Sequence, residues 1–245
     1  MRTLAPVLTI LIATAACSDS PENIMEPVPL DPVEATFASS RLPGISVDGV
    51  LDRREWKNSR TWEDLPIRLP EGGTAAGHLY VRNDLENIYF GFVLEEELSS
   101  GISNIVVRFF NDGVGPLSVG DDYVIGYVRS VPGTADAMYD GYFEQTDTGF
   151  RGIGDEATGG TIDGTAAGRV ANGTTTIEIQ HPLDSEDAAH DIAVAPGDMI
   201  QFNVTATILR GPNDGVQTTP LPWQSLYISC KRNQKNNGPE RPPRC

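Results

Sequence analysis

Residues 104–129 read NIVVRFFNDGVGPLSVGDDYVIGYVR, and this stretch decides the fold. β-branched and aromatic residues fill 105–110 and again 123–128, which predicts two strands. The gap between them is too short for a helix, so the strands are expected to be antiparallel neighbours. The chain is therefore expected to contain antiparallel sheet.

The loop between these two strands is rich in acidic residues and glycine. It contributes Asp112, Asp121 and Asp122 at the strand ends. Asp140 is expected to join them, because the strand that carries it is expected to lie beside this hairpin. Ca²⁺ takes oxygen ligands, so these four residues are the predicted calcium ligands. The spacing is not that of an EF-hand, and Asp, Asn and Gly are also the ordinary composition of turns. Both interpretations stay open at this stage.

Composition limits the classes of protein that the chain can represent. The chain has 245 residues with 25 Gly and 18 Pro, which favours one large all-β domain with tails over two α/β domains. Its formal net charge is −16, which excludes nucleic acid as a partner because no basic patch could offset phosphate repulsion. An acidic surface is typical of a secreted protein that binds neutral or cationic ligands, although solubility alone accounts for much of it.

The N-terminus has the pattern of an export signal. Arg2 precedes an apolar run over 4–12 that is too short to span a membrane. The sequence Thr-Ala-Ala-Cys at 14–17 resembles the bacterial lipoprotein processing box, with threonine where leucine is commonest. We therefore expect 1–16 to be a signal peptide and Cys17 to be lipidated, with simple secretion as the alternative. This lipid would be the protein's only membrane contact, in the outer membrane or the periplasm.

Two tails flank the predicted domain. Residues 17–35 are rich in Pro, Asp and Glu, and we expect them to form a disordered tether. With Cys17 lipidated, Cys230 and Cys245 remain as an even pair in an oxidising compartment. We expect them to form a disulfide that pins the tail 231–245 to a folded domain at 36–230.

Period-two alternation indicates the fold class. It puts the apolar residues of 88–94 on one face, and the longest example runs from 200 to 208. The segment 45–56 is expected to run from a short strand into a turn, with Trp56 in the core. Many short strands joined by turn-rich loops predict an all-β fold, a two-sheet antiparallel β-sandwich of the jelly-roll or immunoglobulin-like kind.

Several motifs resemble those of family 9 carbohydrate-binding modules (CBM9). The chain has Val-Asp-Gly-Val-Leu-Asp at 47–52 and Glu-Trp at 55–56, where the family has I-D-G-x-L-D-x-x-E-W. Asn-Ile-Tyr-Phe at 87–90 is similar to the family's next hairpin, and Pro-Gly-Asp at 196–198 precedes the long strand. The resemblance covers residues 45 to 210.

The resemblance implies a non-catalytic sandwich, often with structural calcium, that binds an oligo- or polysaccharide. Sugar-binding members clamp their ligand between aromatic rings, because sugar C–H faces stack on rings while hydroxyls need polar partners. Trp56 matches a framework position, which leaves Trp223, Tyr127, Tyr139 and Tyr142 as candidate platforms. A structural or protein-interaction module without a sugar pocket is the alternative, and its partner proteins are unknown.

Motifs of catalysis and cofactor binding are absent from the sequence. It has no G-x-S-x-G elbow, H-E-x-x-H, Walker loop or dinucleotide fingerprint, so we expect no enzyme. His190 and Asp191 are interpreted as a surface pair, and His78 and His181 as packing or hydrogen-bonding residues. The histidines have no local pair that would predict zinc. A related sandwich family binds haem, but no spacing of Met and His favours that here.

Overall fold

The computed structural model describes residues 33–34, 36–37, 44–96, 102–110, 118–129, 138–147, 149–187, 189–211 and 214–229. They form β-strands joined by turns, with one short 3₁₀ helix, Asp155–Ala157. The strands are β1 Val33–Glu34, β2 Thr36–Phe37, β3 Arg60–Arg68, β4 Thr74–Asn83, β5 Asn87–Leu94, β6 Ile102–Phe110, β7 Asp122–Arg129, β8 Met138–Thr146, β9 Gly149–Gly154, β10 Thr165–Ala171, β11 Thr174–Pro182, β12 Met199–Gly211 and β13 Asp214–Tyr227. In this part of the chain, no helix has the length and apolar character needed to cross a membrane.

Two sheets pack face to face. The seven-stranded sheet has the order β1-β13-β12-β6-β7-β8-β9, and the six-stranded sheet has the order β10-β11-β5-β4-β2, with β3 also paired to β4. Among the described strands, the pairings are antiparallel apart from two short parallel ones, β1 with β13 and β2 with β4. The predicted two-sheet antiparallel sandwich is confirmed.

Apolar side chains from alternate strand positions fill the space between the sheets. Phe90 of β5 contacts two rings of the opposite sheet, Phe109 and Phe202, with centroids 5.8 and 5.5 Å apart. All three rings are buried, and removing such surface from water stabilises the fold by about 25 cal/mol per Å². The predicted hairpin of 105–110 and 123–128 lies in this core as β6 and β7, which pair antiparallel.

The segment 44–59 has no strand, so the short strand predicted at its start is wrong. Glu178 of β11 explains the difference. Its Oε2 accepts hydrogen bonds from the backbone N–H groups of Asp48 and Gly49 at 2.9 Å, and its Oε1 accepts one from Trp56 Nε1 at 2.8 Å. The segment thus bonds to one carboxylate and does not form the backbone hydrogen bonds of a paired strand. Trp56 is buried as expected, but against Gly91 on the outer face of the six-stranded sheet and not between the sheets.

The first two strands pair with different sheets although one residue separates them. Val33 pairs with Leu226 of the seven-stranded sheet, and Thr36 pairs with Arg82 of the six-stranded sheet. Val33–Glu34 therefore forms a strand inside the segment predicted as a tether. The signal peptide, Cys17, and the disulfide of Cys230 and Cys245 lie outside the described residues and stay predictions.

Candidate functional site

Three aspartates and a histidine meet at one end of the core. Asp122 begins β7, Asp140 lies in β8, His181 lies in β11, and Asp191 lies in the loop before β12. Each offers one ligand atom, and these atoms all lie within 4.8 Å of one another. Each residue is at most 2% exposed. We call this group the Asp/His cluster.

Strand alternation explains why polar residues reach this position. Asp122 points to the same side of β7 as the buried Val124, and Asp140 is the register partner of Val124 on β8. His181 continues the inward series begun by Ile179 on β11. The cluster is therefore the end of the apolar core, with residues from both sheets.

The three aspartates share one pattern of hydrogen bonding. Each uses Oδ2 to accept one bond, from Ile192 N to Asp122 (3.2 Å), from Asp163 N to Asp140 (2.9 Å) and from Ser185 Oγ to Asp191 (2.5 Å). The Oδ1 atom of each aspartate is buried and has no hydrogen-bond partner. Buried polar atoms without partners are uncommon in proteins, so these three require an explanation.

The imidazole of His181 shows the same division. Its Nδ1 lies 2.6 Å from the carbonyl oxygen of Pro182. A carbonyl oxygen only accepts, so Nδ1 carries the hydrogen and Nε2 presents a lone pair to the carboxylates. Nε2 has no partner and lies 3.8 Å from Oδ2 of both Asp122 and Asp140. Burial lowers the pKa of His181 to about 4, so the ring is neutral at pH 7 and these contacts are not ion pairs.

Burial makes the negative charges of the cluster costly. It raises the pKa of Asp122 well above its usual range, and the neighbouring Asp140 and Asp191 act in the same direction. Burial likewise raises the pKa of Asp140 to about 8 and that of Asp191 to about 7. A bound cation would remove this cost by compensating the carboxylates.

A second acidic group adjoins the cluster on its solvent side. Asp163, Asp187 and Asp191 place carboxylate oxygens within 4.8 Å of one another, and the first two are partly exposed. Asp191 belongs to both groups. We call this set the acidic trio; it offers oxygen ligands only.

A row of polar and aromatic side chains crosses the outer face of the seven-stranded sheet. Strand register puts Asn203, Arg108 and Tyr123 side by side on β12, β6 and β7. Arg108 Nη1 donates to Thr205 Oγ1 at 2.8 Å and makes a longer contact of 3.5 Å with Asn203 Oδ1. Burial lowers the pKa of Arg108, whose guanidinium nevertheless stays charged at neutral pH.

Tyrosine rings lie over glycines beside this row. Tyr123 and Tyr139 are stacked with centroids 6.0 Å apart. A Cβ added at Gly152 would lie 2.5 Å from Tyr123 Oη, and one at Gly154 would lie 2.7 Å from Tyr139 Oη. Only glycine therefore lets these rings lie close to β9. At the other side of the face, Trp223 packs on a buried phenylalanine of β6.

The fold resembles that of solved carbohydrate-binding domains. A CBM9 domain from Caldicellulosiruptor kristjanssonii in complex with cellotriose matches with a TM-score of 0.50 at 10% identity, covering 85% of this chain and 99% of that chain. The fold is CBM9-like. A CBM9 domain from the same organism in complex with glucose matches with a TM-score of 0.48 at 10% identity, covering 83% and 98% of the two chains. No family model and no curated protein matches the sequence.

Within this CBM9-like fold, the predicted site residues fall into separate places. The structure brings Asp122 and Asp140 together in the Asp/His cluster. Asp121 instead accepts hydrogen bonds from the backbone N–H and the hydroxyl of Ser118. The candidate aromatic platforms lie on different faces of the seven-stranded sheet. Three lie on its outer face: Tyr127, Tyr139 and Trp223. The ring of Tyr142 instead lies beside that of His190, with ring centroids 5.1 Å apart. Asp112 lies outside the described residues.

The interpretation of His190 and Asp191 as a surface pair is wrong. Asp191 is 2% exposed, because Ser185 holds its carboxylate and the following Ile192 N–H bonds to Asp122. Sequence reasoning also missed His181 as a candidate ligand. Its signal was present, since His181 occupies an inward position after Ile177 and Ile179, where a polar residue needs a buried partner. No comparable signal marked Asp191, which follows an irregular loop.

Proposed function

We propose that this protein is a non-catalytic carbohydrate-binding protein, with its sugar site on the outer face of the seven-stranded sheet. The observation that carries the proposal is the fixed guanidinium of Arg108 beside aromatic side chains. The sugar-bound CBM9 domain with the same fold supports it.

Arg108 is a half-buried cation held by neutral groups. In the described part of the chain its bonds go to Thr205 and Asn203 through Nη1, and no carboxylate forms an ion pair with it. The donors on Nε and Nη2 are therefore left for a ligand. A guanidinium in a set position suits vicinal sugar hydroxyls, because it presents parallel N–H donors.

Aromatic side chains on the same face supply the apolar half of such a site. Tyr127 pairs with Asn104 of β6. Two residues earlier on the same face of β7, Ile125 pairs with Tyr139 of β8, so the two tyrosines lie near each other on this face. Both tyrosines are partly exposed. A pyranose ring could rest its C–H face on these rings while its hydroxyls reach the polar row, which is how sugars satisfy both halves of their surface.

Titration calorimetry with cellotriose and with glycans selected on an array would test the sugar site. Arg108→Met keeps an unbranched apolar stem but removes the guanidinium and its donors, so we expect binding about tenfold weaker or worse. Arg68→Met, at an exposed position of β3 on the other sheet, is the matched control and should bind as the unmodified protein does. Equal binding by both variants would refute this location. A folded protein that binds no glycan would favour a protein-interaction module.

Calcium is proposed at the acidic trio. Asp163 and Asp187 provide oxygen ligands at partly exposed positions beside the buried carboxylate of Asp191, and an all-oxygen ligand set is what Ca²⁺ takes. Added Ca²⁺ should raise the melting temperature of chelator-treated protein by several degrees, and Asp163→Asn should abolish the shift. Asp147→Asn, in an exposed turn, is the control and should retain it.

The location of the protein is also part of the proposal. Lipidation at Cys17 after removal of 1–16 would tether the domain to the bacterial cell envelope. The acidic composition and the N-terminal pattern support this assignment.

A further inference from the structure

We propose that the Asp/His cluster is a structural site for a divalent first-row transition metal ion of the Zn²⁺ class. Its ligands would be His181 Nε2 and one oxygen each of Asp122, Asp140 and Asp191. This inference does not depend on sugar binding.

The hydrogen bonding of the four side chains points to a cation in the cluster. Each of the four side chains has one hydrogen-bonded atom and one buried atom without a partner. The bonded atoms orient the side chains, and the unpartnered atoms are Oδ1 of the three aspartates and Nε2 of His181. Metal ligands show this division, because neighbouring groups bond their outer atoms and leave the inner atoms for the ion.

The direction of the imidazole lone pair also points to a cation. Because Nδ1–H donates to the carbonyl of Pro182, Nε2 faces the carboxylates of Asp122 and Asp140 as an acceptor facing acceptors. With ionised carboxylates that arrangement is repulsive unless a cation lies between them. A proton bridging Nε2 and a carboxylate does not fit, because 3.8 Å is too long for a hydrogen bond.

The donor set selects the class of ion. Calcium, which the CBM9 resemblance implies, takes oxygen ligands and does not fit a set containing a buried imidazole. Imidazole suits Zn²⁺, Ni²⁺, Cu²⁺ and Fe²⁺, and Zn²⁺ accepts both His nitrogen and Asp oxygen and takes four ligands at structural sites. Tetrahedral bonds of about 2.1 Å place donors about 3.4 Å apart. One possible ligand atom of each residue already lies within 4.8 Å of the others, so metal binding requires the four side chains to move closer together.

The charge balance agrees with this choice. With all three aspartates ionised, the cluster would carry a charge of about −3 in a buried position, and a divalent ion would reduce this to about −1. The ligands come from β7 and β8 of one sheet, β11 of the other, and the loop before β12. The ion would therefore join the two sheets.

The test uses the full chain after chelator treatment and dialysis. We expect Zn²⁺ to bind in a one-to-one ratio with an affinity at least about tenfold above that of the His181→Gln variant. His78→Gln, at a partly exposed position of β4 beside Glu95, is the matched control and should bind Zn²⁺ as the unmodified protein does. Equal Zn²⁺ binding by the His181 variant would overturn the proposal.

A second measurement keeps the proposal testable if His181→Gln does not fold. Co²⁺ added to the unmodified protein should give the strong visible absorption of a four-coordinate site with a nitrogen ligand, and Zn²⁺ should displace it. Ca²⁺ in excess should leave the band unchanged. Absence of the band, or its loss on adding Ca²⁺, would overturn the proposal, whatever the outcome of the glycan experiments.

Discussion

Glu178 shows how much one buried side chain can organise. Its carboxylate accepts three hydrogen bonds from the segment 44–59, and burial raises its pKa. In Glu178→Gln an amide NH₂ would face N–H donors, so we expect the free energy of unfolding to fall by about 1–3 kcal/mol. Urea denaturation measures the change, with Glu63→Gln at an exposed position of β3 as control. A loss no larger than that of the control would contradict this role.

Gly126 is a residue whose lack of a side chain sets the distance between the sheets. A Cβ at this position would lie 2.8 Å from side-chain atoms of both Ile177 and Ile179. We expect Gly126→Ala to destabilise the fold by about 1–3 kcal/mol through overpacking. Gly44→Ala is the comparison, because nothing lies within 4 Å of the added carbon there. Equal stability of the two variants would show that the sheets adjust at no cost.

Single site residues could be predicted where they lie on regular strands, but not where they lie in irregular loops. Asp122 and Asp140 were predicted to lie together as calcium ligands; the structure places both in one cluster, and their role as ligands stays a prediction. Asp191 lies in a loop whose path depends on contacts with Ser185 and Ile192, and no periodic pattern carries that information. The clusters of this protein therefore combine strand residues that a pattern can place with loop residues that it cannot.

Among the larger elements, the segment 44–59 is held to the sheet by side-chain contacts and not by strand pairing. Its indole and Leu51 pack over Gly91, where a Cβ would lie 2.9 Å from both Leu51 and Trp56. We expect Gly91→Ala to lift this segment, so its amides should exchange with deuterium faster while those of β6 and β12 keep their protection. Hydrogen exchange with mass spectrometry measures this. Uniformly faster exchange over the whole chain would contradict a local effect.

Strands were predictable where β-branched and aromatic residues alternate. The strands β5, β6, β7 and β12 meet that condition and were predicted from it. The strand β9 was missed because it reads Gly-Phe-Arg-Gly-Ile-Gly, a composition typical of loops. Most of β13 was missed because Pro220 and Pro222 interrupt it, and its pairing with β12 shows the register shifts that such residues cause.

At the scale of the whole molecule, attachment to the membrane is expected to depend on one atom. Cys17→Ser removes the sulfur that would carry the lipid, so the protein should move from the membrane fraction to the soluble periplasmic or secreted fraction. Immunoblotting of fractionated cells measures this, with Ser18→Ala as the control variant. Membrane association that survives the substitution would contradict the lipid anchor, and sugar affinity should be equal in both variants.

The short strands β1 and β2 also have a mechanical consequence. They are joined by one residue, and each forms a two-residue pairing at the edge of a different sheet. Tension on the chain ahead of Val33 therefore reaches these two pairings before it reaches the long antiparallel strands. Because each pairing is so short, they would rupture at low force and lengthen the tether while the sandwich stays folded. In a protein anchored through Cys17, as proposed, this segment would thus extend under force before the sandwich unfolds.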